Sequence, residues 1–199
     1  MTVTSAILII CIGLFGLSLV VGSFAMQFGM IPAAVAKGEW WRLITSTFLH
    51  FGVLHLFFNM LALYWLGPPT ERALGSARFA ALFLLSALGG SVASYWFSDR
   101  RTLSTGASGG LFGMVAAMIV MGQKMRADVS QLVFLLAVNV VYGFVMSGVD
   151  WRAHFGGAIT GAALAWIYAS DRSVQTQQAG VAGVFGFFIL AALARTARF

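Results

Sequence analysis

Four polar side chains interrupt otherwise apolar stretches of this 199-residue chain: His55, Asn59, Ser108 and His154. A polar group inside an apolar span is costly to bury, which makes each a functional candidate by default. His55 and Asn59 are four residues apart, so on a helix they project from one face. Ser108 lies in Thr105-Gly106-Ala107-Ser108-Gly109-Gly110, where glycines permit tight turns and close backbone approach. His154 opens a run in which Gly157 and Gly161 form a small-xxx-small ridge that admits a close neighbouring helix. A serine hydroxyl beside an imidazole suits nucleophilic catalysis, the ring taking the hydroxyl proton and later returning it to the leaving group. His55, Asn59 and the Ser108 backbone N–H would then be the donors to a developing oxyanion.

The rest of the chain says where such chemistry would happen. Hydrophobic residues make up 60% of it and charged residues 9%, with a mean hydropathy of +0.90. A soluble domain is about 45–50% apolar and about 25% charged. Cytosolic enzyme, nucleic-acid module, secreted scaffold and disordered tail are excluded on composition. The chain reads as an integral membrane protein. Its net charge of +6 comes from twelve basic residues scattered in ones and twos. None of these groups is dense enough to track a phosphate backbone, so they read as anchors at lipid headgroups, with no nucleic-acid partner. Cys11, the single cysteine, allows neither an internal disulfide nor a thiolate metal site.

Crossing a ~30 Å hydrocarbon core takes about 20 mostly apolar residues. Seven spans are expected, at 6–26, 53–66, 79–97, 108–122, 131–147, 152–169 and 179–194, with joints at Lys37 to Arg42, Gly67 to Arg78, Asp99 to Thr105, Gln123 to Ser130, Gly148 to Trp151 and Asp171 to Gln178. The fold class is all-α, a polytopic transmembrane bundle forming one membrane domain over 1–199. Residues up to about 170 form its core, and 179–194 an appended seventh helix. The first span reads as a retained helix, because Met1 to Ser5 has no basic residue and the apolar stretch exceeds a signal-peptide core.

Helices two, four and six run in the same direction, so their N-terminal ends share one face of the membrane. Those ends carry His55 and Asn59, Ser108, and His154. The fourth span, at 108–122, covers only ~22 Å of a ~30 Å core, which places its serine below the surface. Arg101 to Thr105 must therefore dip inward as non-helical backbone around protein or a watery cavity. A serine at a helix N-terminus also meets unpaired N–H groups and the positive dipole end. These are parts for hydrolysis inside a membrane. With a cytoplasmic N-terminus, the cytoplasmic joints hold five bases (Arg72, Arg78, Lys124, Arg126, Arg172) and the opposite side seven. The positive-inside rule leans weakly the other way.

Each element has a plainer reading. A membrane serine commonly bonds back to the preceding turn, an intramembrane histidine is often a packing residue, and His55 with Asn59 could be an interhelical hydrogen-bond pair. A zinc site from His50, His55 and His154 fits by ligand type, but no carboxylate or thiol accompanies them in that layer. Asp150, four residues before His154, invites a triad but more commonly such an acid caps a helix.

The combination resembles the rhomboid family of intramembrane serine proteases over about Gly38 to Ala169. Trp41-Arg42 is similar to the family's Trp-Arg pair in the first loop. His50 followed by His55-Leu56-Phe57-Phe58-Asn59 is similar to its histidine and HxxxN signature. Gly67 through Glu71-Arg72 to Gly75 resembles the turn after helix two, Gly106-Ala107-Ser108-Gly109 the GxSG nucleophile motif, and Ala153-His154 with Gly157 and Gly161 the base-bearing helix. The resemblance implies a six-helix core with a Ser108–His154 dyad, an oxyanion site from His55, Asn59 and the serine amide, and Gly106 in support. It also implies that Phe112, where the family more often has tyrosine, packs on the base. His50 would order the loop, Arg42 would tie it to headgroups or carbonyls, and Glu71 would anchor the cytoplasmic side. No cofactor or metal is implied. The partners would be transmembrane protein substrates, cut near their extracytoplasmic ends, and membrane lipids. The N-terminus would be cytoplasmic, with a bacterial plasma membrane as the default location. Two rival readings are a catalytically inactive rhomboid-like client-binding protein and a small transporter, though the inverted repeat expected of the latter is missing.

Overall fold

A computed structural model describes residues 1–145, 148–170 and 173–199. Met146 and Ser147 at the end of the fifth expected span, and Asp171 and Arg172 in the expected linker, lie outside the described residues. The protein is 78% helical, and no strand occurs among the described residues. Seven longer helices stand at the seven expected spans: α1 (Val3–Val20), α5 (Val53–Leu74), α6 (Ser76–Phe97), α7 (Ser108–Lys124), α8 (Ser130–Val145), α9 (Trp151–Tyr168) and α10 (Val174–Thr196). Three short ones, α2 (Phe24–Phe28), α3 (Pro32–Ala36) and α4 (Arg42–Thr45), fill the first loop, with a 3-10 turn at Ser46–Phe48. Helices α1, α6 and α10 are each long and apolar enough to cross a membrane alone, and α4 with its turn pairs with α5 across an 89° bend. Helices α7 and α8, at 17 and 16 residues, are shorter.

The boundaries differ from the expected ones for local reasons. The first span was expected to reach residue 26, but α1 stops at Val20 and the chain restarts as α2. Arg42 explains this: its Nη1 donates to the Met26 and Gly29 carbonyls at 2.8 and 2.7 Å, holding that segment to the loop. The second span was expected to end at 66, yet α5 continues through Pro68 and Pro69 to Leu74. The continuation carries Glu71 to the start of α1, where its carboxylate accepts from the Val3 and Thr4 backbone N–H groups, the Thr4 hydroxyl and Ser76. Gly67 lies against the Thr4 side chain, where a methyl would clash. The expected joint Gly67 to Arg78 thus shrinks to Gly75, whose φ of +78° suits glycine. Helix α10 begins five residues before 179, since Ser173 caps it by accepting from the Thr176 N–H. Asp128, ahead of α8, accepts from the Ser130 N–H at 2.9 Å, which holds its carboxyl below the usual range.

Helices α6, α7 and α9 form the centre, and they meet through glycine. A Cβ on Gly157 would strike the Gly109 backbone, one on Gly161 the Gly113 backbone, and one on Gly156 the Gly89 carbonyl. A Cβ on Gly90 would lie 2.5 Å from the Ala153 carbonyl oxygen. Backbones this close have no room for side chains, the arrangement small residues permit between membrane helices. Around this centre, Phe79, Phe83, Leu63 and Met114 pack fully buried between α5, α6 and α7. Helix α8 contrasts with all of this, as Gly143 is its one buried residue among those described.

Candidate active site

Ser108 is the first residue of α7, so its position follows from how the chain arrives there. Between Phe97 and Ser108 the backbone is non-helical, and it is held on both sides. Met30 and Ser104 exchange backbone hydrogen bonds, Ala33 N–H donates to the Arg100 carbonyl, and Gly106 N–H donates to the Ser46 carbonyl at 2.9 Å. The final turn needs Gly106, with φ of +129°, a value L-residues with side chains rarely adopt. This is the non-helical segment read from the sequence at Arg101 to Thr105.

His154 lies in the first turn of α9, and the glycine contacts to α7 bring it across. Its Nε2 stands 2.9 Å from Ser108 Oγ. The Phe112 ring, one turn along α7 from Ser108, stacks on the imidazole with centroids 4.0 Å apart and planes 14° apart. Phe112 is buried while Ser108 and His154 are half-buried, so the pair is ordered from one side and open on another. Nδ1 of His154 is buried without a hydrogen-bond partner.

His55 and Asn59 come from the start of α5. The His55 ring packs against Gly106: a methyl there would lie 2.8 Å from His55 Nε2 and 3.8 Å from Ser108 Oγ. Asn59 is buried and donates one Nδ2 hydrogen to the His55 carbonyl at 2.8 Å, a bond within its own helix rather than between helices. Its Oδ1 has no partner. His50 is buried edge-on to His55 at 5.0 Å, with neither ring nitrogen hydrogen-bonded. His55, Ser108 and His154, with Gly106, Phe112 and His50, therefore occupy one neighbourhood, and Asn59 lies one turn along α5 from His55.

Other residues singled out in the sequence lie apart from it. Arg42 is 6% exposed, pairs with Glu39 at 2.7 Å and spends its remaining bonds on loop carbonyls. Trp41 is exposed on the same loop. Gly157 and Gly161 touch α7 below the site. Asp150 caps α9 by accepting from the Ala153 N–H, and its other oxygen accepts from the Ser94 hydroxyl of α6. That carboxylate is committed on both oxygens to the helix start.

Two residues near the site carried no legible signal. Ser94 is one hydroxyl among several in an apolar helix, yet it fixes the cap of the helix that bears His154. Gly143 of α8 lies beside His154, where a methyl would sit 3.4 Å from Nδ1. Only the packing of α8 shows this.

Residues 37–171 match the rhomboid domain family. The rhomboid protease GluP of Bacillus subtilis is 40% identical over 132 residues, 64% of this chain and 26% of that protein. RHOMBOID-like protein 4 of Arabidopsis thaliana is 40% identical over 148 residues, 70% of this chain and 37% of that protein. The rhomboid protease AarA of Providencia stuartii is 32% identical over 160 residues, 66% of this chain and 57% of that protein. The chain thus spans between about a quarter and three-fifths of the length of these relatives.

Proposed function

The chain belongs to the rhomboid family, and we propose that it is an intramembrane serine endopeptidase. It would hydrolyse peptide bonds in or near transmembrane segments of membrane proteins through a Ser108–His154 dyad. The observation that carries this reading is the 2.9 Å separation of Ser108 Oγ and His154 Nε2 beneath a stacked Phe112. In the mechanism, the Ser108 hydroxyl donates to Nε2, so attack on a carbonyl carbon passes its proton to the imidazole. The oxyanion forms beside the Ser108 N–H at the start of α7, where unpaired amides and the helix dipole favour negative charge. His55 and the second Nδ2 hydrogen of Asn59 supply further donors. The imidazolium returns its proton to the leaving amine, and water then releases the acyl group from Ser108 by the same steps in reverse order.

Phe112 fixes the ring plane so that Nε2 faces Ser108, the task a carboxylate performs in triads. Asp150 is not available for it. The site opens at the ends of α5, α7 and α9, the extracytoplasmic side on a family orientation. Residues 1 to about 170 would be the catalytic core and α10 an addition to it.

The test is cleavage of a single-span substrate in liposomes by the protein and by Ser108→Ala. Cleavage should fall to the uncatalysed background in the variant, and a serine-directed covalent inhibitor should label Ser108 only when His154 is present. Labelling that persists in His154→Ala would remove the dyad. No cleavage by the unaltered protein, over several helix-weakened substrates, would favour a client-binding role.

A further inference from the structure

Helices α6 and α10 run parallel and are joined at both ends. At the start, Arg78 Nη2 donates to Gln177 Oε1 at 2.8 Å. At the finish, the Tyr95 and Thr196 hydroxyls pair at 2.8 Å and Trp96 Nε1 donates to the Ala191 carbonyl at 3.0 Å. Between these two sets of contacts the helices leave a groove of about 730 Å³. Helix α6 lines it with Ala81, Leu85 and Leu88, and α10 lines it with Val181, Ala182 and Phe185. Ile44 of α4 stands at its far end and Arg78 at its near end.

The groove has the length and polarity of half a bilayer. From Arg78 to Leu88 is ten residues, or ~15 Å of helix, which is one leaflet of a ~30 Å core. One end is purely apolar and the other carries a guanidinium beside the Tyr168 ring, 5.6 Å from its centroid. Arg78 spends one donor on Gln177, and its Nε and Nη1 have no hydrogen-bond or carboxylate partner among the described residues. A cation at the mouth of an apolar slot, with no counter-ion among the described residues, suits an anion with an attached hydrocarbon chain. A zwitterionic lipid would bring its own cation beside Arg78.

We propose that the α6–α10 groove binds one anionic glycerophospholipid, its acyl chain along Ala81 to Leu88 and its phosphodiester at Arg78. The site is at the opposite end of the bundle from Ser108. One wall is α10, which lies beyond the family-matched residues 37–171. The lipid would fill the gap that the end contacts leave and so fasten α10 to α6.

The test uses the full chain in nanodiscs of equimolar phosphatidylglycerol and phosphatidylcholine, with retained lipids counted by native mass spectrometry. The protein should retain one phosphatidylglycerol in preference to phosphatidylcholine. Arg78→Gln should lower that preference about fivefold, the factor for one basic side chain near an anionic surface. Arg78→Lys should keep it, and Ala81→Phe, which fills the slot, should abolish retention of either lipid. The Lys and Phe variants keep the test open should Arg78→Gln lose its fold through the missing Gln177 contact. Equal retention of the two lipids by the unaltered protein would overturn the proposal. So would retention unchanged by Ala81→Phe, or a preference lost in Arg195→Gln at the other end of α10 but kept in Arg78→Gln.

Discussion

Helix α8 and the α6–α7–α9 centre both border His154, yet they are held in opposite ways. In the centre, Gly157 and Gly161 press on the Gly109 and Gly113 backbones, and nine successive residues of α7, Gly109 to Ala117, are buried. Along α8 the side chains of Phe134, Val138, Val141 and Phe144 stand exposed, and Gly143 alone is buried among the described residues. An interface of backbone against backbone has no rotamers to adjust, so it fixes distance. A helix with one buried residue among those described, held beside α9 by Gly143 and by the Phe144 ring stacked on Trp151, can shift while the Ser108–His154 separation stays constant. The contrast teaches that the precision of the site and the freedom of its border belong to different helices.

The largest effect should come from forcing a side chain into the fixed interface. Gly161→Val must displace the Gly113 backbone, and overpacking already costs ~1–3 kcal/mol where flexible side chains can move aside. Here nothing flexible can, so the variant should give no monodisperse folded protein on purification. Gly186→Val, at a helical glycine with nothing within 4 Å, should purify normally. Equal recovery of the two would dissolve the comparison.

Next is the anchor of α1, which the protein builds from side chains rather than glycine. Glu71→Ala leaves the Val3 and Thr4 amides and two hydroxyls without their acceptor. It should lower the unfolding free energy by about 3 kcal/mol in detergent denaturation. A change below about 1 kcal/mol would show that water replaces the carboxylate.

Asp150→Ala removes the cap of α9 and the acceptor for Ser94, and should cost about 1–2 kcal/mol. Because Asp150 does not touch the imidazole, turnover of the remaining folded protein should fall by less than tenfold. A loss comparable with that of Ser108→Ala would restore the triad reading.

The smallest effects belong to α8. Val138→Ala should change stability by no more than about 0.5 kcal/mol, and α8 amides should exchange hydrogen faster than those of α7. Gly143→Ala should leave stability equal or raise it by up to about 1 kcal/mol through helix propensity. Its methyl, 3.4 Å from His154 Nδ1, should nevertheless slow cleavage. Unchanged cleavage would mean that α8 has moved off His154 during turnover.

Much of this was legible in the residues. Membrane class, the seven longer helices and the direction of each follow from hydropathy and joints, since lipid leaves a chain this apolar few alternatives to helices; the three short helices of the first loop do not. Direction alone set His55, Asn59, Ser108 and His154 at one end, and the Gly157 and Gly161 spacing indicated that some helix approaches α9 closely, without saying which. The boundaries were less legible. Gly67 to Arg78 read as a joint, yet α5 passes through Pro68 and Pro69, and Glu71, five residues beyond the expected end, meets amides of α1 that are 68 and 67 residues distant in sequence.

What the sequence determined by itself is what depends on residue type and local spacing: the apolar spans, the polar layer, and the turn at Gly106 that delivers Ser108. What only the tertiary structure decided is which partner each polar group chose. Asp150 could have oriented His154 or capped its helix, and the nearness of Ser94 on α6 committed it to the cap. Arg42 could have reached headgroups, and the folded loop gave it the Met26 and Gly29 carbonyls instead. Inside a membrane protein a polar side chain takes the partner within ~3 Å, and that distance is set by helices meeting from far along the chain.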